Sequence, residues 1–303
     1  MKFDLIIIRY AEIALKAKQT RKRFESTLVN NIKNALKTKN IENSLRKEWG
    51  RIYVYSDQIE NCVGVLQKIF GISSISPAVK TESRIKEISK IAISISKQKL
   101  DRNKSFAIRV TRYGEHDFSS QDVAVQIGND IVKKTNARVN LTNPDFELFI
   151  EIRNDRAYLF VEKIKGYGGM PLGTQGNILA FIDSQKSILA SWYLIHRGCK
   201  PIFLSNNKIK KDVIDKYLKD WFIKSKFFVI SQNNNVYEQI NKIAAENNCD
   251  AIVTGNTLFD DSKIAMGNIK QLKKQLDLPI LHPLIAMDKE EINKKLKDIG
   301  LLK

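Results

Sequence analysis

Arg21, Lys22 and Arg23 stand in a row beside Phe24, Leu28, Ile32 and Leu36, apolar residues that recur every four positions. That spacing predicts a helix with one buried stripe, capped by Thr20, and a cationic flank that Lys33, Lys37 and Lys39 continue. Arg109 and Arg112 fall on or just after a run in which Phe106, Ile108 and Val110 alternate with polar residues, the pattern of a half-buried strand. Side chains of this type neutralise phosphates and release counterions, which sets affinity for a polyanion without reading its sequence. Each one alone is equally an ordinary surface cation. Tyr113 and Phe118, close by, read as core or hinge residues, with stacking on unpaired bases as the alternative. Lys186 and Ser187 open another helical stretch and could hold one anion, as could any helix N-terminus.

Other chemistries find little support. Cys62, Cys199 and Cys249 lie far apart with no C-x-x-C pair, which argues against a disulfide framework and a thiolate zinc site. Cys199 and Cys249 adjoin apolar strands and read as small buried residues rather than nucleophiles. The three histidines are scattered and add no metal motif. No apolar run approaches the roughly 18–20 residues that span a bilayer, and Met1–Tyr10 lacks a signal-peptide cleavage pattern, so the expectation is a cytoplasmic protein without membrane contact.

The 303 residues include 51 lysines and arginines against 33 aspartates and glutamates, a net charge of +18. Residues 1–200 carry 34 basic and 20 acidic side chains, and residues 201–303 carry 17 and 13, so the excess sits in the first two thirds. A field of this size attracts polyanions, nucleic acid above all; the alternative is a solvated lysine-rich surface.

These residues need elements to hold them. Residues 3–8 read as a buried strand and Arg51 to Tyr55 as a short one, so residues 1–57 form a small α+β unit. Helical periodicity over 59–69 and 84–99, a helix from Ser119 or Ser120, and a hairpin turning at Asn154-Asp155 make a second unit to residue 165. Five of the 14 glycines fall between Gly166 and Gly176, a linker or a loop with unusual backbone angles. From 177 to 303 the rhythm changes. Strand-like runs at 177–181, 201–205, 226–231, 250–254 and 278–285 alternate with helical stretches near 185–197, 208–223, 235–247, 260–276 and 288–298, which implies a parallel sheet covered on both faces. Asp288 with Glu291 is a capping-box pattern for the last helix.

Arg9-Tyr-Ala-Glu-Ile-Ala-Leu-Lys-Ala-Lys-Gln-Thr-Arg-Lys-Arg-Phe-Glu25 resembles the opening of the tRNA 4-thiouridine synthetase (ThiI) family. Gly71 to Ala78, Asn143-Pro-Asp145, Ile150-Glu-Ile-Arg153 and Ala157-Tyr158 are similar to the family's THUMP segment, and Gly166 to Gly176 to its glycine-rich joint. Val253-Thr-Gly255, His282-Pro-Leu-Ile285 and Asp288-Lys289 echo its last domain. The resemblance covers the whole chain. It implies α+β N-terminal ferredoxin-like and THUMP domains, residues 1–57 and 58–165, a Gly-rich linker over 166–176, and an α/β parallel-sheet, Rossmann-like domain of the PP-loop ATPase type over 177–303. It further implies that the front domains hold the acceptor region of tRNA, with Arg21, Lys22, Arg23, Arg109 and Arg112 as RNA contacts, while the last domain adenylates uridine eight ahead of sulfur transfer.

The family's PP-loop, Ser-Gly-Gly-x-Asp-Ser, sets glycine amides around a pyrophosphate at a helix N-terminus. Counting back from Arg197-Gly198 places it at Ile182-Asp183-Ser184-Gln185-Lys186-Ser187, where Ser187 alone matches. The family's Arg-Arg-Met-Met run falls at Asn233-Asn-Asn-Val236, and its Gly-Glu-Ser-Leu-Gly-Gln stretch becomes Gly255-Asn-Thr-Leu-Phe-Asp260. The sequence ends at Lys303, ahead of the family's cysteine-bearing segment.

The expectation is a tRNA-binding protein with an inactive, degenerate nucleotide domain, no catalytic residue and no metal, in which Lys186, Ser187 and Gly255 remain of the nucleotide site. A separate modification enzyme or sulfur donor, or a second copy of the chain, is the expected partner of that domain. The rival is an active ATP-dependent tRNA sulfurtransferase that uses ATP and Mg with a divergent loop. A third reading is a small-molecule binder that reuses the sheet's crevice.

Overall fold

The computed structural model describes residues 2–205, 211–230, 235–259 and 262–302. Its first elements are β1 (Leu5–Arg9), α1 (Lys18–Thr38), β2 (Ser44–Glu48), β3 (Arg51–Tyr55), α2 (Ile59–Leu66), β4 (Ser74–Glu82), α3 (Ile85–Lys97) and β5 (Ser105–Tyr113). There follow α4 (Ser120–Thr135), β6 (Arg138–Val139), β7 (Phe146–Arg153), β8 (Arg156–Phe160) and β9 (Ile164–Lys165). The chain forms two compact units. One comprises Met1–Tyr10, Lys39–Gln67 and Ser73–Gly166; the other comprises Ala11–Thr38, Lys68–Ile72 and Tyr167–Lys303.

The first unit is built on one sheet of nine strands among the described residues, in the order β2-β3-β1-β4-β8-β7-β5-β6, with β9 on β4. β1 lies between antiparallel β3 and β4, and its Leu5-Ile6-Ile7-Ile8 run is buried on both faces, which is why it does not alternate. β5 runs parallel to β7, and β7 turns into β8 at Asn154-Asp155 as the sequence predicts. The helices α3 and α4 cover one face through Ile88, Ala92 and Ile95 and through Val123, Ile127 and Ile131, the three- and four-residue spacing of an apolar stripe. Ser119 caps α4: its Oγ accepts from the amide of Asp122 at 3.1 Å, and the Asp122 carboxylate accepts the Ser119 amide at 2.8 Å. The strand β4 joins β1 to β8, and the sheet curls so far that side chains of β3 and β7, four positions apart in strand order, meet on its inner face.

The second unit contains α1 and a sheet of β10 (Asn177–Ile182), β11 (Lys200–Ser205), β12 (Phe227–Val229), β13 (Ala251–Val253) and β14 (Ile280–Leu281). All pairings are parallel and the order is β12-β11-β10-β13-β14. With α5 (Gln185–His196), α6 (Lys211–Asp220), α7 (Val236–Glu246), α8 (Ser262–Gln275) and α9 (Lys289–Asp298), this is the expected parallel-sheet α/β unit. Along β10, Ile178, Ala180 and Ile182 enter one core and Leu179 and Phe181 the other. Asp288 caps α9 through the predicted box with Glu291. Residues 206–210, 231–234 and 260–261, which the predicted strand and helix runs include in part, lie outside the described residues. Among the described residues no helix is long and apolar enough to cross a membrane.

One expectation fails locally. The helix α1 starts at Lys18, so Thr20 is its third residue rather than its cap. The glycine-rich segment is bonded to the end of α5: Met170 N–H donates to His196 O at 2.9 Å and Gly173 N–H to Gly198 O at 2.9 Å. At Gly169 (φ +74°) a Cβ would collide with the His196 carbonyl oxygen, so close approach and a left-handed backbone both require glycine there.

Candidate functional site

In the first unit Arg109 and Arg112 sit three residues apart on β5 and therefore on opposite faces. Arg109 is already engaged: its Nε donates to Glu147 Oε1 at 2.7 Å and its Nη2 to the Leu141 carbonyl at 2.8 Å. Arg112 is exposed, and its Nη1 donates to the His116 carbonyl at 3.4 Å. Phe118 packs against the core under α3 and α4, in line with the core reading. Tyr113 does not, for it is 47% exposed.

The inner face of the curled sheet holds a charged cluster that sequence reasoning missed. Glu151, 3% exposed, accepts from Arg51 Nε at 2.7 Å, Arg9 Nη2 at 3.2 Å and Arg153 Nη1 at 3.4 Å. Burial alone would raise the Glu151 carboxyl; the three guanidinium charges and the Arg51 hydrogen bond outweigh it, and the pKa is lowered. Burial chiefly lowers Arg9, against the pull of Glu151. The signal was present in the alternation of β7, where Glu151 and Arg153 share one face and Ile150 and Ile152 the other. What it lacked was the curl that brings Arg9 and Arg51 to that face.

In the second unit Arg21, Lys22 and Arg23 lie near the start of α1, with Lys22 and Arg23 exposed and Arg21 half-buried. Phe24, Leu28, Ile32 and Leu36 are buried as predicted. The first turn holds no acidic residue, so cations crowd the positive end of the helix dipole.

The turn from β10 to α5 lies at the carboxyl end of β10, beside β13, where the sheet order reverses; ligands of open α/β sheets sit at such a point. Here Ser187 Oγ accepts the amides of Asp183 at 3.1 Å and Ser184 at 3.0 Å. The Asp183 carboxylate in turn accepts from Ser184 Oγ at 2.9 Å and Ser187 Oγ at 3.0 Å. Two amides of this turn, those of Asp183 and Ser184, are thus spent on the chain itself with a carboxylate beside them, an arrangement unlike an open pyrophosphate cradle. Gly255, after β13, packs on the same turn: a Cβ there would lie 2.6 Å from the Ser187 nitrogen. The structure therefore brings Lys186, Ser187 and Gly255 together. The Lys186 ammonium lies 4.9 Å from the centre of the Phe259 ring. Asn256 Nδ2, next to Gly255, is buried without a hydrogen-bond partner among the described residues. Thr254 Oγ1 lies 2.7 Å from His282 Nδ1, and burial lowers the His282 pKa.

Burial pushes the Cys249 thiol up to about 11 and also raises Cys62 and Cys199, a direction that favours the thiol over the nucleophilic thiolate. Among the described residues no group of three metal-ligating side chains occurs. The run at 233–236 and Asp260 lie at least partly outside the described residues.

Comparison with known proteins gives three family matches: the ThiI ferredoxin-like domain over residues 5–76, the THUMP domain over 82–162, and "Thiamine biosynthesis protein (ThiI)" over 208–303, beyond the turn at 182–187. A Methanobrevibacter smithii protein named "Probable tRNA sulfurtransferase" is 33% identical over 337 residues, covering 99% of this chain and 87% of its own. That span exceeds 303, so the pairing needs gaps in this chain. A protein of the same name from Methanocaldococcus jannaschii is also 33% identical, over 97% of this chain and 87% of its own. Among solved structures, the protein PH1313 of Pyrococcus horikoshii superposes with a TM-score of 0.85 at 30% identity, over 98% of this chain and 100% of its own. A 4-thiouridine synthetase solved with RNA and bound ATP shares the fold, with a TM-score of 0.83 at 24% identity over 99% of this chain and 85% of that one.

Proposed function

The chain belongs to the tRNA sulfurtransferase (ThiI) family, and from that premise we propose that it is a cytoplasmic tRNA-binding protein whose nucleotide domain is inactive. The front half holds the acceptor region of tRNA through phosphate contacts from Arg21, Lys22, Arg23 and Arg112, backed by the charge excess of residues 1–200. Arg109 contributes through its place beside Glu147 and Leu141 rather than as an unpaired charge. The observation that carries the second clause is the turn at Asp183–Ser187, where Ser187 Oγ takes the amides of Asp183 and Ser184 that an active loop would offer to phosphate. On this reading the α/β unit serves as a scaffold for a separate modification enzyme, a sulfur donor or a second copy. Isothermal titration with Mg·ATP, beside a tRNA gel shift over a salt series, tests both clauses. No ATP heat and salt-steep tRNA binding are expected. Micromolar ATP binding overturns the second clause, and absent or salt-insensitive tRNA binding the first.

A second reading is an active ATP-dependent tRNA uridine sulfurtransferase, making 4-thiouridine at position eight with a rearranged loop and a partner's sulfur. It is favoured by the convergence of Lys186, Ser187 and Gly255 at the switch point and by the unpartnered Asn256 amide beside them. It predicts adenylate formation on tRNA ahead of 4-thiouridine, and loss of that activity in Lys186→Ala.

A further inference from the structure

Trp49, in the turn between β2 and β3, stacks on Tyr113 at the end of β5, with ring centroids 5.7 Å apart and planes 16° from parallel. Both rings face solvent, Trp49 at 58% and Tyr113 at 47% exposed, whereas the chain's other tryptophans, Trp192 and Trp221, are buried. An exposed aromatic pair leaves apolar area in water and is held here by the charged cluster beneath it. The Arg153 guanidinium carbon lies 4.9 Å from the centre of the Tyr113 ring, and its Nη2 donates to the Trp49 carbonyl at 2.6 Å. Arg153 is itself anchored by Glu151 at 3.4 Å and has Glu48 at 3.7 Å. The stack is therefore fixed before any ligand arrives, with little side-chain entropy left to lose. Arg51 and Arg9 bond to the same Glu151, so three guanidinium groups lie on the face beneath the pair.

Resting on the tRNA-binding reading above, we propose that the Trp49–Tyr113 pair is a platform on which an unpaired nucleobase of the bound RNA stacks. Aromatic faces set among guanidinium groups recognise single-stranded nucleotides, because every base has a π-face while the phosphates meet the positive field. Within a double helix each base face is covered by its stacked neighbours, so the platform serves the unpaired part of the RNA and leaves the body of the duplex to the phosphate contacts.

The test compares the unsubstituted chain with Trp49→Leu, Tyr113→Leu and Trp49→Phe, using tRNA, an oligouridine single strand and a blunt RNA duplex as probes. Loss of one stacked base corresponds to about 5- to 150-fold in affinity. The two leucine variants are expected to lose affinity in that range for tRNA and oligouridine, to bind the blunt duplex unchanged, and to keep the salt slope. Trp49→Phe is expected to restore most of the affinity. Oligouridine should quench tryptophan emission in the unsubstituted chain and not in Trp49→Phe. Matching thermal melts exclude a folding defect. If the unsubstituted chain binds no tRNA, the proposed function fails and the platform with it. If it binds tRNA and both leucine variants bind equally well, the platform alone is overturned.

Discussion

Gly255 touches the backbone of Ser187 across the crevice: a Cβ on Gly255 would lie 2.6 Å from the Ser187 nitrogen and 2.9 Å from its Cα. Glycine is required here by close approach, since Gly255 has no left-handed φ. The neighbour is backbone at the first turn of α5 and cannot swing aside. Gly255→Ala is expected to destabilise the chain by about 1–3 kcal/mol through overpacking, read as a fall of several degrees in melting temperature.

Glu151 compensates Arg9, Arg51 and Arg153 in a buried setting. Removing one partner of such a cluster leaves uncompensated buried charge, so Glu151→Gln is expected to cost about 3–5 kcal/mol. The pH dependence follows from the direction of its shift. The folded-state pKa lies below the ordinary glutamate value of 4.5. The unfolded chain therefore takes up the proton first, and the carboxylate's contribution is complete above about pH 4.5 and drains away as pH falls through the lower, folded value. Urea midpoints measured from pH 7 down to pH 3 should fall on acidification, and Glu151→Gln should flatten that acid limb.

The elements that carry their own local signals were legible. Leu5–Ile8 reads as a buried strand, Ser119 with Asp122 and Asp288 with Glu291 mark helix starts, and the alternation after residue 177 gives the parallel sheet. Lys18 carries no capping signal, so a start read from Thr20 as the cap falls three residues late. The meeting of Lys186, Ser187 and Gly255 was legible through family landmarks, since a turn after β10 and the end of β13 adjoin in any sheet of this order. The Glu151 cluster and the Trp49–Tyr113 stack were not. Both need the curl of a sheet that joins residues 100 apart in sequence in the cluster and 64 apart in the stack, and no periodicity encodes curl.

Arg109 and Arg112 differ by one ion pair, and that difference predicts their variants. Arg109 is paired with Glu147 at 2.7 Å, whereas Arg112 bonds to the neutral carbonyl of His116. Arg112→Ala should weaken tRNA binding uniformly across sequences and lower the salt slope by about one. Arg109→Ala should leave the slope nearly unchanged and lower stability by about 0.2–1 kcal/mol, as expected for a partly exposed pair. Filter binding at several salt concentrations, with thermal melts alongside, separates the two.

Lys22 and Arg23 oppose the dipole of the helix they stand on, because the first turn of α1 has no acidic residue and the helix N-terminus is already positive. The dipole fades beyond the first turn and these residues stand on the second, so each cation costs at most about a few tenths of a kcal/mol, unfavourable for the isolated chain and offset only when phosphate arrives. Stability and binding should therefore move in opposite directions. Lys22→Ala and Arg23→Ala are each expected to raise stability by a few tenths of a kcal/mol while weakening tRNA binding and lowering the salt slope by about one. Had these cations been mere surface decoration, the melts would rise with no change in tRNA affinity, and the two measurements made on the same preparations decide between the cases.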